Sequence, residues 1–388
     1  MKTKAMHLSH SVRCLFLCAL LFSSVSIATA DISKQTSHKP IVKLLKEGLG
    51  IPWGMTFVSP DELLITERSG SVKLFNLRNK KLTNLSNVPR VLAEGQGGML
   101  DVALSPNYQN DQWIYFTYVK DIDGEGATTL ARAKLARAKL VTTKLNNYSL
   151  NSWQELLVTD STTDTSQHYG SRIAFDESGH VYFGIGDRGV RPNSQNLTNH
   201  SGAIIRLNLD GSIPKDNPFV GNINALDEIW SYGHRNPQGL VYAKYNKRLW
   251  EIEHGPRGGD EINRIEKGKN YGWPVISYGK EYWAPMAVGE GTHKAGMEQP
   301  VKVYVPSIAP GSLMMYSGNA FPQWKNNLFS GALKLRHINR VVLSDSGEAI
   351  HEERLFEDLD ERIRALTQSD EGFIYFSTDS GKIYKVSP

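Results

Sequence analysis

One local pattern recurs six times along the chain and constrains the fold more than any other feature. A turn rich in Asp, Asn or Gly precedes a short run of apolar, β-branched or aromatic residues, and a second turn and strand follow. These apolar runs begin at Leu64, Ile114, Val181, Leu249, Leu328 and Ile374. Their spacing of roughly 50 to 80 residues accommodates four short strands with their loops, which is one propeller blade. The sequence therefore predicts an all-β fold, a six-bladed β-propeller.

Glycine and proline content supports strands joined by turns. The 388 residues include 34 Gly and 17 Pro, and long apolar patterns of helical period are almost absent. An early strand from Ile41 to Leu45 is predicted to complete the last blade, because closing the ring removes two open sheet edges. We therefore predict a single propeller domain over residues 31–388.

The first thirty residues have the pattern of a secretory signal peptide. Three basic residues precede an apolar run from Cys14 to Ala28, and Ala28-Thr29-Ala30 is a small-x-small cleavage site. Residues 1–30 are predicted to direct export to the periplasm and to be removed. Both cysteines, Cys14 and Cys18, lie in this segment, so the exported protein is expected to contain no disulfide and no cysteine-ligated metal.

The charge balance gives no indication of nucleic-acid binding. The net charge of the full chain is +4, and removing the three basic residues of the signal leaves about +1. No segment after residue 30 approaches the roughly 20 apolar residues that a membrane-spanning helix needs. We therefore expect no nucleic-acid partner and no membrane insertion.

Two segments stand outside the repeat. The tandem LARAKLARAKL from Leu130 to Leu140 is interpreted as a local duplication that lengthens a strand or hairpin loop, the alternative being a basic amphipathic helix on a membrane surface. The segment from Tyr278 to Pro300, which contains Tyr282 and Trp283, is predicted to be a long loop over one face. Long loops in compact folds are usually functional.

A glycine-rich segment matches a nucleotide-binding pattern without its context. Gly184 to Gly189 reads G-I-G-D-R-G after a predicted strand. Pro192, Asn193 and Ser194 follow where a helix should begin, so no helix N-terminus is available to hold a pyrophosphate. We therefore do not predict a dinucleotide site.

The stretch from Gly233 to Pro274 concentrates the residues with chemical potential. It combines Arg235-Asn236, Gly255-Pro256 and Glu261 around an apolar run, Leu249 to Ile252, that is predicted to be a buried strand. Guanidinium and amide donors suit an anionic, oxygen-rich ligand, whereas backbone carbonyls followed by a carboxylate suit a hard cation such as Ca²⁺. Each element alone is typical of an ordinary turn, but their clustering at one strand favours a site.

Polar residues also recur at corresponding positions of separate blades. Gln96, His168, Lys334, Arg362 and Arg364 lie near predicted strand ends, and a propeller brings such positions together on its axis. Arg362 and Arg364 alternate along the chain, which places both side chains on one side of a strand. His168 precedes a strand, where its side chain can point into the central channel.

Taken together, these motifs resemble the soluble quinoprotein glucose dehydrogenase and aldose sugar dehydrogenase family, six-bladed propellers that bind pyrroloquinoline quinone (PQQ) and Ca²⁺. The resemblance covers essentially the whole predicted mature chain. The motifs that carry it are IPWGMTF at Ile51, GQGGMLDVALSP, QHYGSRIAF, YGHRNPQGL, EHGPRGGDEIN, GKNYGWP, FSGALK and RIR at Arg362.

The resemblance implies a role for each candidate residue. His168 and Arg235 resemble the catalytic residues, with His168 the general base. The residues that it implies hold the quinone are Gln96, His168, Arg235, Asn236, Tyr282, Lys334, Arg362 and Arg364. The carbonyls of Gly255 and Pro256 resemble ligands of the cofactor-bound Ca²⁺, and Glu261 with Tyr271 resembles a second calcium site.

Two positions depart from the family pattern. Gln167 precedes His168 where the glucose dehydrogenases carry Asp, and Ala365 follows the arginine pair where an Asp is common. The first departure weakens the expectation that a carboxylate tunes His168. The second leaves Arg364 without an expected local partner.

The implied reaction is the oxidation of an aldose at C1 to an aldonolactone by hydride transfer to PQQ. His168 would accept the proton, Ca²⁺ and Arg235 would stabilise the developing negative charge, and an external electron acceptor would reoxidise the quinone. The alternatives are a Ca²⁺-dependent lactonase-like hydrolase in which His168 activates water, and a non-catalytic sugar-binding propeller. Lactonase chemistry needs a metal held mainly by axial carboxylates, whereas the axial candidates here are mostly Arg, Lys and Gln. A monomer and a homodimer are both compatible with the sequence.

Overall fold

The computed structural model describes residues 39–139 and 146–388. Within these residues, 24 strands form six antiparallel sheets of four strands each, which confirms the predicted six-bladed β-propeller. The predicted signal peptide, residues 1–30, lies outside the described residues.

The first half of the described chain forms one strand of the last blade and then three complete blades. The initial strand is β1 (Ile41–Lys46). Blade 1 contains β2 (Pro52–Ser59), β3 (Glu62–Glu67), β4 (Val72–Asn76) and β5 (Leu82–Asn84). Blade 2 contains β6 (Met99–Leu104), β7 (Trp113–Ile122), β8 (Glu125–Lys139) and β9 (Asn146–Val158). Blade 3 contains β10 (Ile173–Phe175), β11 (His180–Ile185), β12 (Ala203–Asn208) and β13 (Ile229–Tyr232).

The second half of the chain forms the remaining three blades. Blade 4 contains β14 (Pro237–Ala243), β15 (Arg248–Glu253), β16 (Asp260–Ile265) and β17 (Lys302–Tyr304). Blade 5 contains β18 (Pro310–Met315), β19 (Leu328–Ala332), β20 (Ile338–Leu343) and β21 (Ala349–Leu355). Blade 6 contains β22 (Ile363–Gln368), β23 (Ile374–Thr378) and β24 (Ile383–Ser387), and β1 is its fourth strand.

Helical structure is short and confined to the connections. The described residues contain one four-residue helix, α1 (Tyr108–Asp111), and the 3₁₀ turns Arg191–Gln195, Pro322–Trp324 and Glu357–Leu359. In the part of the chain that the structure describes, no helix has the length and apolarity needed to cross a bilayer.

Each predicted apolar run lies in the second strand of its blade, namely β3, β7, β11, β15, β19 and β23. Every residue of β3, β19 and β23 is buried, because neighbouring blades cover both faces of these strands. A strand covered on both faces is apolar without strict alternation. This is why the second strand gave the clearest repeat signal.

The predicted ring closure is confirmed. β1 pairs antiparallel with β24, with Ile41 opposite Ser387 and Leu44 opposite Tyr384. The first and last strands of the ring therefore share blade 6, and this blade has no strand edge left open by the chain ends.

The tandem basic segment forms strand, not helix. As far as Lys139 it belongs to β8, which pairs with β9 in a long hairpin, so the lengthened strand is confirmed and the amphipathic-helix alternative is wrong. Leu140 lies outside the described residues. Arg132 and Lys134 share one face of β8 and cover the Trp113 ring, at 4.3 and 4.5 Å from its centroid.

One side chain, Arg172, contacts all six blades at the propeller axis. It lies directly before β10 of blade 3, and its guanidinium stacks 3.9 Å from the ring centroid of Trp53 in blade 1. It donates hydrogen bonds to one acceptor in each of the other four blades: Asp101 Oδ1 (2.8 Å), Gln238 O (3.1 Å), Gly311 O (2.6 Å) and Arg364 O (3.1 Å). The inner strands are therefore tied together around one buried cation.

Candidate functional site

A cavity of about 190 Å³ lies among the segments that begin the first strand or follow the second strand of the blades. All six blades contribute to its wall. Of the sequence-predicted residues, Gln96, Arg362 and Arg364 line it, and Tyr169 and Gly170 directly after His168 do so as well. The structure thus brings Gln96 of blade 2 together with Arg362 and Arg364 of blade 6 at one cavity.

The cavity wall carries an excess of positive charge. Arg68, Arg362 and Arg364 contribute three guanidinium groups, and Asp379 contributes one carboxylate. Arg362 Nε lies 3.0 Å from Asp379 Oδ2, and Arg364 Nε lies 2.8 Å from Asp379 Oδ1. Burial alone would raise the pKa of Asp379, but Arg364 and Arg362 lower it below its ordinary value, so the carboxylate stays ionised.

Asp379 corrects the expectation that Arg364 has no local partner. It follows β23, which pairs antiparallel with β22, so Thr378 lies opposite Ile363. The carboxylate reaches both arginines from the neighbouring strand, although it is 15 residues from Arg364 in sequence. Ala365, which directly follows the arginine pair in the chain, carries no carboxylate, so the partner comes from the neighbouring strand.

His168 forms a buried dyad with Asp187. The His168 Nδ1–H donates to Asp187 Oδ1 over 2.6 Å, and the two other donors to this carboxylate are Trp273 Nε1 at 2.8 Å and the Gly189 amide at 2.8 Å. The main-chain amide of His168 donates to Gln96 Oε1 at 2.9 Å. Because the Asp187 carboxylate fixes the proton on Nδ1, the Nε2 lone pair is free to accept a proton.

The environment keeps His168 neutral at pH 7. Burial is the largest influence and lowers the pKa of His168; the Asp187 hydrogen bond raises it and Arg235 lowers it, and the resulting pKa lies below the ordinary value of 6.5. A neutral imidazole with a free nitrogen can act as a general base.

Asp187 is the carboxylate that interacts with His168. The Gln at position 167, where the glucose dehydrogenases carry Asp, had weakened the expectation of such a carboxylate. Asp187 belongs to the Gly184–Gly189 segment and follows β11, the second strand of blade 3. Asp379 follows the second strand of blade 6 in the same way. An acidic residue after a second strand is therefore the signal that would have found both partners.

Arg235 and Asn236 precede β14 and are fixed by one carboxylate. Their main-chain amides both donate to Glu253 Oε2, and Arg235 Nη1 donates to the His254 carbonyl at 3.0 Å. Within the described residues, Arg235 Nε and Asn236 Nδ2 are buried and have no hydrogen-bond partner. Buried unpaired donors are rare, and here they mark positions where a ligand oxygen is expected.

A second, atom-sized cavity of about 10 Å³ collects every predicted metal ligand. It is lined by Gly255, Pro256, Glu261 and Tyr271, with Arg235 beside them. Only glycine fits at position 255, because a Cβ there would lie 2.0 Å from the Gly259 carbonyl oxygen. A volume of this size is about that of one enclosed water or ion.

Glu261 has the electrostatic setting of a cation ligand. In the described part of the chain it forms no ion pair with Lys or Arg, and Arg264 pairs instead with Glu266. Burial, followed by repulsion from Glu253 and Asp260, raises the pKa of Glu261 well above its ordinary value. Bound Ca²⁺ would relieve this concentration of negative charge.

Four predicted cofactor residues line neither cavity: His168, Asn236, Tyr282 and Lys334. Tyr282 is 65% exposed on the long loop, which is anchored by the ion pair between Arg191 Nη1 and Glu281 Oε1 at 2.6 Å. Lys334 is exposed directly after Leu333, a residue of the larger cavity. Their roles toward a quinone remain predictions.

His254 is a cavity residue that sequence reasoning missed. Its Nε2–H donates to the Pro310 carbonyl at 2.7 Å, and burial lowers its pKa to about 3. The imidazole is therefore neutral over the physiological range, and Nδ1 is left as an acceptor. Its position before Gly255-Pro256, the predicted metal segment, was the available signal.

The chain is similar to known proteins over nearly its whole length. The family model described as Glucose / Sorbosone dehydrogenase matches residues 49–385. Aldose sugar dehydrogenase YliI of Escherichia coli (strain K12) is 38% identical over 365 residues, which cover 89% of this chain and 92% of that protein. Quinoprotein glucose dehydrogenase B of Acinetobacter calcoaceticus is 25% identical over 446 residues, covering 94% and 91%. The crystal structure of the soluble aldose sugar dehydrogenase of Escherichia coli in its apo form gives a TM-score of 0.84 at 35% identity and covers 90% of this chain and 100% of that one.

Proposed function

The chain belongs to the glucose/sorbosone dehydrogenase family, and on this basis we propose that it oxidises aldose sugars at C1 to aldonolactones with PQQ as hydride acceptor and Ca²⁺ as Lewis acid. The observation that carries the proposal is the His168–Asp187 dyad beside a cavity with an excess of guanidinium groups. A neutral base and a polycationic wall are the two features that this reaction needs from the protein.

The cavity fits a planar tricarboxylate such as PQQ. Its three arginines, Arg68, Arg362 and Arg364, outnumber the single carboxylate. The side chains of Arg235 and Asn236, each with an unpaired donor, are hydrogen-bonded to residues of the cavity wall. We assign cofactor contacts to these groups and to Gln96, with Lys334 and Tyr282 approaching from outside. The same charge distribution disfavours the hydrolase alternative, since the only carboxylate on the wall is already paired with two arginines.

The protein's own residues supply binding and proton transfer. When bound, PQQ supplies the carbonyl that accepts hydride and Ca²⁺ polarises it. His168 Nε2 removes the proton of the anomeric hydroxyl, and Asp187 stabilises the resulting imidazolium at 2.6 Å. Arg235, positioned by Glu253 and the His254 carbonyl, contributes a fixed positive charge near the reacting atoms.

The proposal extends to the localisation of the protein and to its electron acceptor. Residues 1–30 would export the chain to the periplasm, where an external electron acceptor would reoxidise the quinone.

Adding PQQ and Ca²⁺ to the purified exported chain should produce a protein-bound quinone absorbance that an aldose bleaches.

Arg364→Ala should weaken PQQ binding roughly 10-fold or more, because a charge-assisted hydrogen bond contributes about 1.5 to 3 kcal/mol. The measurement is a reconstitution titration followed by turnover with an artificial acceptor. Arg78→Ala is the matched control, since Arg78 pairs with Asp61 at the exposed surface. The proposed function fails if wild-type protein binds no quinone. The assignment of Arg364 to the cofactor fails if Arg364→Ala binds PQQ as tightly as wild type and the Arg78→Ala control do.

Calcium should stabilise the cofactor-free protein through Glu261. Ca²⁺ at about 100 times its Kd would add about 2.7 kcal/mol by mass action, a rise in Tm of about 4 °C. Glu261→Gln should lose most of this rise, because the amide removes the charge that favours the ion. Differential scanning calorimetry of metal-free protein with and without Ca²⁺ measures the effect.

The control for this experiment is Glu266→Gln, which alters an exposed carboxylate paired with Arg264. It should respond to Ca²⁺ like wild type. An equal rise in Tm for wild type and Glu261→Gln would remove Glu261 from the calcium site.

A further inference from the structure

An acidic layer lies on one face of blade 4. In β15 and β16, Glu251 lies opposite Asn263 and Glu253 opposite Glu261, and the alternation of a strand places these four side chains on the same face. The next pair on this face, Leu249 and Ile265, belongs to an apolar cluster with Tyr182 and Trp230 of blade 3. The interface between blades 3 and 4 therefore changes from apolar to acidic along the strands.

Within residues 39–139 and 146–388, no Lys or Arg forms an ion pair with Glu251 or Glu253 of this layer. Among these residues the closest positive candidate is His234, whose Nδ1 lies 3.7 Å from Glu253 Oε1. Burial, followed by repulsion from Glu253, raises the pKa of Glu251 well above its ordinary value. Removing an uncompensated carboxylate from water costs several kcal/mol. The layer therefore needs a further positive charge or a bound proton.

Three buried atoms in this layer lack partners within the described structure. They are His234 Nδ1, Glu251 Oε1 and Asn263 Oδ1, each on a side chain that is at most 1% exposed. Such atoms are uncommon in native proteins unless they contact a ligand or ion. Three of them in one layer point to a missing ligand.

The surrounding contacts hold these atoms in place. His234 Nε2 lies 2.9 Å from Ser231 Oγ, and the imidazole stacks on Tyr271 with centroids 4.7 Å apart. Asn263 Nδ2 donates to Glu251 Oε2 at 3.0 Å and to Glu253 Oε1 at 3.4 Å. The imidazole and both carboxylates are thus oriented before any ligand binds.

The spacing matches a metal site. His234, Glu251 and Glu253 each present one ligand atom, and these atoms all lie within 4.8 Å of one another. Two ligands on opposite sides of a metal with bonds of about 2.0 to 2.5 Å are about 4 to 5 Å apart. One ion can therefore reach all three atoms with small adjustments.

We propose that His234, Glu251 and Glu253 bind a divalent metal ion buried between blades 3 and 4. An imidazole nitrogen combined with carboxylates favours Zn²⁺ or Mn²⁺, whereas Ca²⁺ prefers oxygen ligands alone. Asn263 contacts both carboxylates through Nδ2, and its Oδ1 has no partner within the described residues. His234 follows β13 of blade 3 and the glutamates belong to β15 of blade 4, so the ion fastens one blade to the next.

This site adjoins the proposed calcium residues but has a different set of ligands. Glu253 also borders the atom-sized cavity, but Glu251 and His234 do not, and Glu261 is absent from the three-residue cluster. Variants of Glu251 and Glu261 therefore distinguish the two sites. The inference does not depend on the proposed sugar oxidation.

The test is metal retention by the exported chain refolded with Zn²⁺ or Mn²⁺ and then dialysed with excess Ca²⁺. We expect about one retained equivalent of Zn²⁺ or Mn²⁺ in wild type and Glu261→Gln, and close to none in Glu251→Gln. Plasma mass spectrometry measures the metal, and calorimetry should show a metal-dependent rise in Tm that Glu251→Gln lacks. Glu251→Gln preserves side-chain volume and removes the uncompensated charge, so without metal it should be at least as stable as wild type.

His234→Gln is the second variant, because it removes the unpaired Nδ1 while keeping an amide near Ser231. It should lose the same equivalent. Retention of no Zn²⁺ or Mn²⁺ by wild type, or equal retention by wild type and both variants, would overturn the proposal and indicate that Glu251 is neutralised by a proton.

Discussion

Replacing His168 with alanine should lower kcat for aldose oxidation by about 10² to 10⁴ and leave PQQ binding nearly unchanged. In the proposed mechanism this imidazole is the base, because its Nδ1 is hydrogen-bonded to Asp187, its Nε2 is free and its pKa lies below the ordinary value. Its removal takes away proton transfer but none of the cavity's guanidinium groups. The comparison requires steady-state turnover of the reconstituted enzyme beside a quinone titration.

His351→Ala is the control, because His351 is exposed on β21 of blade 5. Its turnover should equal that of wild type. If His168→Ala also turned over at the wild-type rate, a different group would have to accept the proton.

The pH profile provides an independent readout of the same residue. Only the neutral imidazole accepts a proton, so kcat/KM should rise with pH through the pKa of His168, which burial places below 6.5. In Asp187→Asn, the negative charge that raises this pKa is lost, so the acidic limb should move to lower pH. The plateau should also fall, because an amide no longer selects the productive tautomer. An unchanged profile would show that Asp187 does not act through His168.

Replacing Arg172 with methionine should lower the free energy of unfolding by about 3 to 5 kcal/mol, the range for breaking a buried ion pair. The substitution leaves the Asp101 carboxylate buried without its cation and removes donors from three main-chain carbonyls. Urea unfolding followed by tryptophan fluorescence measures the change.

A double variant separates charge from packing at the axis. Adding Asp101→Asn to Arg172→Met should recover part of the loss, because it removes the uncompensated carboxylate. Arg336→Met, which breaks an exposed pair with Asp360, should have little effect. A loss for Arg172→Met as small as that for Arg336→Met would show that the six-blade contact is not needed for stability.

The sequence predicted the blade repeat and ring closure because these depend on local patterns. Apolar runs in strands covered on both faces remain visible without knowledge of their partners, as in β3 and β23. The pairing of β1 with β24 follows from edge closure alone. The cavity residues Gln96, Arg362 and Arg364 were predicted because a propeller brings equivalent positions of different blades to its axis.

The charged partners of these residues depend on register across strands. Asp187 lies 19 residues from His168, and Asp379 lies 15 residues from Arg364. The residues next to His168 and Arg364 in the chain, Gln167 and Ala365, carry no carboxylate. Strand pairing and blade packing bring the carboxylates from distant positions of the chain. The acidic layer was not predicted, because Glu251 and Glu253 alternate with Trp250 and Ile252 in a strand that was interpreted as apolar.

The pairing of β1 with β24 has a consequence for the order of folding. Blade 6 takes its fourth strand from residues 41–46 and its third from residues 383–387, so the earliest strand to emerge during synthesis finds its partner only when the last has appeared. Contacts of such long sequence separation form slowly. A growing chain can therefore complete up to five blades, but its ring closes only after the last strand has been synthesised.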